Sequence, residues 1–348
     1  MTLTARQLSN GFALDKDRVL PSQPEHPEMR ESVSIWLFEE NGEFAFPRGG
    51  IEAESQSWDD RLLQANFSFA DGRVLSGAGR GRAPSPIDNE GKPSIIGAGS
   101  LQFRCVEPFQ RWTMCFDGPA RDGHVAEQID GSFKAKPLTT KVKLDVEMTM
   151  ATPAWGQAFS SDTSKMSAQE AANAQAMGLG YRFEHHFRAQ GMLEIDGRRR
   201  DFRGTGTRIH RQSIRRLDGF FGHCWLSALF PDGRAFGCLA YPPRSGESEY
   251  SYNDAVVYQG GKLYPARIVK APFLQRLVFA GDDVSVELES ELGRTRIEGI
   301  TTLSTFRIGN PEIDGLNLQQ GGARYTWDGQ TTYGMVERSS HESLTRIG

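Results

Sequence analysis

Short runs of β-branched and aromatic residues, each closed by a turn sequence, recur through almost the whole chain. Residues 33–38 and 44–46 flank Asn41-Gly42, a dipeptide typical of a tight hairpin. Residues 141–148 alternate strictly between polar and apolar side chains, which predicts a strand with one packed face and one solvated face. Beyond residue 180, similar runs follow at intervals of roughly 8–12 residues. This pattern predicts an all-β fold of antiparallel strands.

The length of the chain adds a second constraint, because 348 residues are too many for one hydrophobic core. We therefore predict two consecutive lipocalin-like antiparallel β-barrels, with a single large sandwich as the alternative architecture. The expected division is an N-terminal surface arm over 1–30, a first barrel over 31–155, a connector over 156–180 and a second barrel over 181–348. The connector is expected to hold one short helix, since Ser167 and Glu170 form a capping-box pattern before an alanine-rich run.

Composition and charge exclude several classes of partner. The net charge of −4 gives no electrostatic basis for binding nucleic acid. No run of about 18 apolar residues is present, so we expect no integral membrane segment. The polar N-terminus lacks the apolar centre of a signal peptide, which favours a cytoplasmic location. The four cysteines have no Cys-x-x-Cys spacing and are expected to be reduced, buried thiols.

Motifs for metals, nucleophiles and nucleotides are weak. His185 and His186 are adjacent, so on a strand they point to opposite faces and do not converge on a metal. No Gly-x-Ser-x-Gly elbow is present for a hydrolase serine. Residues 204–207, Gly-Thr-Gly-Thr, lack the third glycine and the helix of a dinucleotide site, and predict instead a close backbone approach within a strand. We expect neither a metal nor an organic cofactor.

Two strand-like segments carry the candidate chemistry, because each places three functional side chains on one face by the period-two rule. The two sets are Phe221, His223 and Trp225, followed by Tyr250, Tyr252 and Asp254. If both faces look into one cavity, the aspartate loses hydration among aromatic rings, its pKa rises, and it keeps a proton near neutral pH. The alternative is that His223 and Asp254 are hydrogen-bonded fillers and that the rings belong to the core.

His223-x-Trp225 followed by Tyr252-x-Asp254 resembles the active-site pattern of carotenoid 1,2-hydratases. Their wider superfamily of tandem lipocalin-like proteins includes AttH-like proteins, kievitone hydratase and some fungal Diels–Alderases. The two β-rich halves and the glycine-rich segment 202–210 are also similar to that group. The resemblance implies acid-catalysed addition of water to an alkene, or its reverse. It implies that Asp254 delivers the proton, Trp225 stabilises the cation, Tyr252 orients the carboxyl group and His223 holds or deprotonates the water.

Three further residues are weaker candidates for substrate binding. Arg48 would bind a polar group of the substrate if it faces the barrel mouth. The simpler interpretation is an arginine in a loop with no role in binding. Glu337 is a candidate substrate contact or catalytic acid, and the simpler interpretation is a structural ion pair with Arg338 or an exposed residue at the rim. His210 is a candidate for a side chain that contacts His223 and orients its imidazole.

Three functions remain open from the sequence. The first is a cofactor-independent hydro-lyase acting on an apolar terpenoid, steroid or prenylated substrate. The second is an isomerase or cyclase for the same substrates, which would share the protonation step. The third is a non-catalytic protein that binds hydrophobic ligands.

Overall fold

The fold is almost entirely antiparallel sheet, in a computed structural model that describes residues 3–156, 168, 171–172, 181–214, 220–246 and 248–348. The helix predicted within 156–180 falls, apart from three residues, outside the described part of the chain. Two short α-helices are described, α1 (Ala5–Ser9) and α2 (Val125–Asp130). Single 3-10 turns are described at Leu14–Asp17, Ser55–Ser57, Ser132–Ala135, Pro311–Ile313 and Glu342–Leu344.

The strands fall into two groups along the chain. The first group is β1 (Met29–Glu39), β2 (Phe44–Glu54), β3 (Asp60–Phe69), β4 (Arg73–Ser76), β5 (Gly79–Arg82), β6 (Ile95–Ala98), β7 (Leu101–Glu107), β8 (Arg111–His124), β9 (Leu138–Met150), β10 (Trp155–Gly156), β11 (Tyr181–Ile195) and β12 (Arg198–Ile214). The second group is β13 (His223–Leu229), β14 (Ala235–Tyr241), β15 (Tyr252–Gln259), β16 (Lys262–Lys270), β17 (Arg276–Leu277), β18 (Val286–Ser290), β19 (Gly293–Asn310), β20 (Leu316–Trp327), β21 (Gln330–Ser340) and β22 (Arg346–Ile347).

Each group closes one barrel, as the sequence predicts. Among the described residues, eight strands form the first ring in the order β9-β11-β12-β1-β2-β3-β4-β8, and β8 pairs back onto β9. The second ring is β13-β14-β15-β16-β18-β19-β20-β21, in which β21 pairs back onto β13. The β1–β2 hairpin turns at the expected Asn41-Gly42, where Gly42 has φ 75°. Two closed antiparallel barrels leave few strand edges open.

The boundary between the barrels differs from the predicted division at residue 181. Strands β11 and β12 pair with β9 and β1, so residues 181–214 complete the first barrel. The second barrel starts only at His223. Local sequence could not place β11 and β12, because their partners lie on both sides of the connector and up to about 180 positions away.

Side-chain alternation decides which residues face each barrel interior and which face the other barrel. On β11, Phe183 and Phe187 point into the first core, whereas Glu184 between them points outward. On β13, Cys224 and Leu226 point into the second core. A third apolar cluster lies between the barrels and includes residues from both, such as Trp36, Phe38, Trp225 and Tyr252. The barrels therefore share a buried interface.

The N-terminal arm packs into the first barrel rather than only on its surface. Asp17 is fully buried and its carboxylate lies 2.6 Å from the Arg208 guanidinium. His210 is part of this network, since its Nε2 lies 2.9 Å from Glu31 Oε1 and its Nδ1 lies 3.5 Å from Asp17 Oδ1. His210 therefore faces the interior of the first barrel and does not contact His223.

Other predictions concern the cysteines, the metal ligands and the membrane. The four cysteines are free thiols, of which Cys115 is half-buried and the others are buried. In the described ranges, no cluster of three His, Cys, Asp or Glu side chains could hold a metal ion. None of the helices in the described part of the chain has the length and apolar character to cross a bilayer.

Candidate functional site

A row of five side chains crosses the outer face of the second barrel, where that face meets the first barrel. Strand register places these residues directly opposite one another on adjacent strands, in the order Gln320, Glu337, Trp225, Leu239 and Asp254. They project outward because their neighbours on β13 and β14, such as Cys224 and Cys238, fill the barrel core. The candidate residues thus lie between the barrels, not inside one of them as the sequence suggested.

A cleft of about 280 Å³ lies over part of this row. Its apolar wall includes Trp225, Leu239, Phe220 and Ile209. Its polar wall comes from both barrels, and includes Arg30, Arg48, Glu52, Arg182, Arg211, Gln320 and Glu337. The cleft therefore suits a ligand with both an apolar surface and polar oxygen atoms, whereas the sequence predicted an apolar ligand.

His223 and Glu337 form a buried pair in the cleft. His223 Nε2 lies 3.3 Å from Glu337 Oε1, and His223 Nδ1 lies 2.6 Å from the Ser339 hydroxyl. Gln320 donates to the other Glu337 oxygen at 2.8 Å. Burial opposes ionisation of Glu337, but the hydrogen bond from His223 and the charge of Arg48 outweigh it and lower its pKa to about 2. The pair therefore holds a fixed carboxylate against an imidazole.

Glu337 does not form the ion pair with Arg338 that its sequence neighbour suggested. The two residues are adjacent on β21 and so point to opposite faces. Arg338 faces the interior, where it lies 2.7 Å from Asp282.

Trp225 is the centre of the aromatic wall. Its ring packs edge-on against Trp36 of the first barrel, with centroids 4.7 Å apart. The Arg182 guanidinium, also from the first barrel, lies 5.3 Å from the Trp225 ring centroid. The indole of the second barrel is therefore held by two side chains of the first barrel, one of which is a cation.

Asp254 lies on the other side of Trp225 from His223. The Tyr252 hydroxyl donates to Asp254 Oδ2 at 3.3 Å, the contact expected from the resemblance. Asp254 lines a small chamber of about 10 Å³ together with Glu184, Trp225 and Leu239, and does not line the larger cleft. Trp225, Leu239 and Arg182 line both cavities and so form the wall between them.

Two predicted aromatic residues do not join this group. Gly222 has φ 137° and β13 begins only at the next residue, His223, so the period-two rule does not extend to Phe221, and Phe220 lines the cleft instead. Phe220 packs against His223 with ring centroids 5.5 Å apart, whereas Phe221 lies beneath Arg244. Tyr250 precedes β15 and packs against the second core, where its hydroxyl accepts a hydrogen bond from the Ala271 backbone.

Arg48 does lie in the cleft, on a strand rather than a loop. The register between β2 and β3 shifts between Ala45 and Arg48, which indicates a bulge at this point. Arg48 donates to Gln64 at 2.9 Å, lies 3.6 Å from Glu52 and packs over the Trp36 ring. It is buried and largely engaged by these partners.

Sequence reasoning missed the residues that the first barrel supplies. Arg182 and Glu184 are buried on the outer face of β11, with Arg182 Nη2 2.7 Å from Glu184 Oε1. Burial raises the pKa of Glu184, the Arg182 charge opposes this, and the nearby Asp254 charge adds to it. Charged residues alternating with Phe183 and His185 were the available signal, but the sequence gave no indication of the surface that they face.

The chain matches one protein-family model over residues 16–342, described as a domain of unknown function, DUF7064. This chain belongs to the DUF7064 family. No curated protein matches it.

Solved structures share the fold of this DUF7064 protein. An AttH-like protein from Nitrosomonas europaea is 16% identical, with 93% of this chain and 98% of that chain covered and a TM-score of 0.56. CghA is 12% identical over 93% of each chain, with a TM-score of 0.53. Kievitone hydratase from Nectria haematococca covers the same shares at 10% identity and a TM-score of 0.45. The first two likenesses confirm the expected tandem-barrel fold.

Proposed function

We propose that this DUF7064 protein is a cofactor-independent hydro-lyase that adds water to, or removes it from, a terpenoid, steroid or prenylated substrate bound between the barrels. The observation that carries this proposal is the position of Trp225 between a carboxylate–imidazole pair, Glu337 and His223, and a carboxyl–phenol pair, Asp254 and Tyr252. An acid, a base and an indole in one buried interface are the groups needed to make and control a carbocation.

The reaction requires a proton donor on one side of the indole. In the hydration direction Asp254 gives a proton to the less substituted alkene carbon, and the tertiary cation forms against Trp225. Tyr252 donates to Oδ2 of Asp254, so the transferable proton sits on Oδ1. Strand spacing puts the Cα atoms of Trp225 and Asp254 about 10 Å apart, so the reacting carbon must lie at the edge of the ring nearest Leu239.

A base is required to accept the proton that the added water loses. His223 faces the cleft and its imidazole is held by Glu337 and Ser339. Nε2–H of His223 faces the Glu337 carboxylate, so the nitrogen that accepts the proton is Nδ1. It receives the proton of the Ser339 hydroxyl while that hydroxyl takes one from the added water. The ionised Glu337 stabilises the imidazolium that forms. In the dehydration direction the two pairs exchange roles.

Trp225 assists the reaction but does not account for its rate. A cation over an indole face is stabilised by about 0.5–2 kcal/mol. Since each 1.4 kcal/mol corresponds to about a tenfold change in rate, the indole contributes roughly one factor of ten. Acid and base catalysis, which typically contribute about 10²–10⁴-fold, must account for more of the rate acceleration than the indole does.

The test is incubation with prenylated, terpenoid and steroidal alkenes in heavy-oxygen water. We expect a labelled tertiary alcohol from at least one substrate. Asp254→Asn and His223→Gln should each lower the rate about 100-fold or more while ligand binding is retained. Glu147→Gln, on the outer surface of β9, is the matched control and should behave as wild type.

Other outcomes would redirect the proposal. An unlabelled product whose formation depends on Asp254 would identify an isomerase or cyclase. Tight binding without turnover, unaffected by Asp254→Asn, would identify a carrier of hydrophobic ligands. Turnover that is unchanged in both variants would reject the site assignment.

A further inference from the structure

The small chamber behind Trp225 brings together two carboxyl groups from different barrels. Glu184 projects from β11 of the first barrel, and Asp254 projects from β15 of the second. Both are at least nine-tenths buried. Ionisation of both carboxyl groups in one buried chamber is unfavourable, because each negative charge disfavours the other.

One oxygen of Glu184 lacks a protein partner. Oε1 lies 2.7 Å from Arg182 Nη2, whereas the buried Oε2 has no partner in hydrogen-bonding geometry among the described residues. The Trp225 indole lies near enough to this carboxyl group to lower its pKa, but not in hydrogen-bonding geometry with Oε2. A buried polar atom without a partner is strongly unfavourable, so native structures nearly always supply a protein group, a water or a ligand. Oε2 therefore requires a partner from the chamber that it lines.

The chamber has the size of one water molecule. Its volume is about 10 Å³, and a cavity of roughly 10–15 Å³ is the least that holds a water. A bound water also needs at least two polar partners, which the Glu184 and Asp254 carboxyl groups supply. No larger ligand fits without movement of Trp225 or Leu239.

We propose that Glu184 and Asp254 form an acid pair that holds one shared proton and one water molecule, and that Glu184 is a catalytic residue acting through contact with that water. The catalytic part rests on the proposed hydro-lyase function, whereas the shared proton and the bound water do not. When both carboxyl groups are ionised, the positive charge of the Arg182 guanidinium offsets one of the two negative charges.

The pair completes the proton balance of the reaction. In the hydration direction the proton that Asp254 gives reaches the alkene carbon through the chamber water, which takes one proton from the pair as it passes one on. The pair is left as two carboxylates beside Arg182. A second water adds to the tertiary carbon and loses a proton to His223. That proton returns to the pair through solvent, so alkene and water give alcohol with no other reactant.

The charged and titratable groups around Glu184 agree with a shared proton. Arg182 lies on the same strand, Asp254 lines the chamber from the second barrel, and the strand neighbours Trp155 and Ile209 are uncharged. The Cys238 side chain points away from the chamber, into the core of the second barrel. Burial is the largest influence and raises the pKa of Glu184, with Asp254 acting in the same direction.

Infrared titration of the full-length protein tests the shared proton without a substrate. The carbonyl stretch that disappears in Glu184→Gln identifies the Glu184 carboxylic acid. We expect it to titrate above the ordinary glutamate value of 4.5, and to move down in Asp254→Asn because the neighbouring charge is gone. Glu147→Gln should leave the titration unchanged. A Glu184 that titrates in the ordinary range, or that ignores Asp254→Asn, would overturn the inference.

A high-resolution crystal structure tests the water, and kinetics test its role. We expect one ordered water within hydrogen-bonding distance of both carboxyl groups; a dry chamber would overturn the inference. Where an alkene is turned over, Glu184→Gln should lower the rate about 100-fold and shift the pH profile. A wild-type rate and profile in Glu184→Gln would reject the role of Glu184 and leave the hydro-lyase proposal standing. Absence of any turnover, with the water and titration as expected, would reject only the hydro-lyase proposal.

Discussion

At the scale of single residues, the buried Glu337 makes the cleft sensitive to acid. Its carboxylate accepts hydrogen bonds from Gln320 and faces His223, and its pKa is lowered from 4.5 to about 2. A carboxyl group with a lowered pKa in the folded state contributes stability that is complete above its unfolded pKa. That contribution is lost as the pH falls from about 4.5 through 2.

We predict that Glu337→Gln lowers the free energy of unfolding at pH 7 by about 3 kcal/mol, the free energy that corresponds to lowering the pKa of its carboxyl group from 4.5 to about 2. The difference in unfolding free energy between variant and wild type should shrink at pH 3, because part of the stability that the ionised Glu337 contributes is already lost there. Urea unfolding at both pH values measures this. An equal deficit at pH 7 and pH 3 would contradict the predicted linkage, and Glu147→Gln should show neither effect.

Sequence periodicity identified some site residues and not others, for a physical reason. The period-two rule relates side chains on one strand, so it grouped His223 with Trp225 and Tyr252 with Asp254. It cannot describe a surface formed when two barrels pack together, so Trp36, Arg182 and Glu184 were missed. The rule also failed at Phe221, because Gly222 adopts a backbone conformation outside the strand region.

At the scale of elements, β12 is held close to β1 by its glycines. A Cβ atom on Gly206 would lie 2.2 Å from the Trp36 carbonyl oxygen and 2.5 Å from the Phe187 ring. This is the close backbone approach that residues 204–207 predicted. Because Trp36 contacts Trp225 across the interface, the glycine also determines where the aromatic wall lies.

We predict that Gly206→Ala lowers the free energy of unfolding by about 1–3 kcal/mol, because a backbone oxygen must shift to admit the methyl group. The Trp36–Trp225 contact should loosen, which a change in near-ultraviolet circular dichroism would report. Gly79→Ala is the matched control, since nothing lies within 4 Å of its added Cβ and its φ is not positive. Equal effects of the two substitutions would reject the steric explanation.

The alternation of polar and apolar side chains along each strand was predictable from the sequence, but the barrel to which each strand belongs was not. Residues 141–148 form part of β9 as expected, because amphipathic periodicity is local. Strand β12 pairs with β1 across about 180 positions, and no short-range pattern specifies such a partner. The predicted boundary at 181 therefore assigned two strands of the first barrel to the second.

At the scale of the whole molecule, the candidate site exists only where both barrels meet. His186 of the first barrel lies 2.7 Å from the Ser227 hydroxyl of the second, and Asn66 donates to Gln320 at 3.1 Å. These buried contacts, with the Trp36–Trp225 pair, fix the two walls of the cleft relative to one another. The barrels are therefore expected to unfold as coupled units.

The topology predicts which fragments of the chain can fold. A fragment that ends at Ile214 keeps all eight strands of the first ring, whereas one that ends at residue 180 lacks β11 and β12 and leaves β1 and β9 as open edges. Open edges promote association between chains, so we expect the shorter fragment to aggregate. The longer fragment should unfold cooperatively in urea and, mixed with residues 215–348, should re-form the interface and restore the near-ultraviolet signal of Trp225. Cooperative folding of both fragments would contradict the strand assignment, because a six-stranded remnant could not close the same barrel.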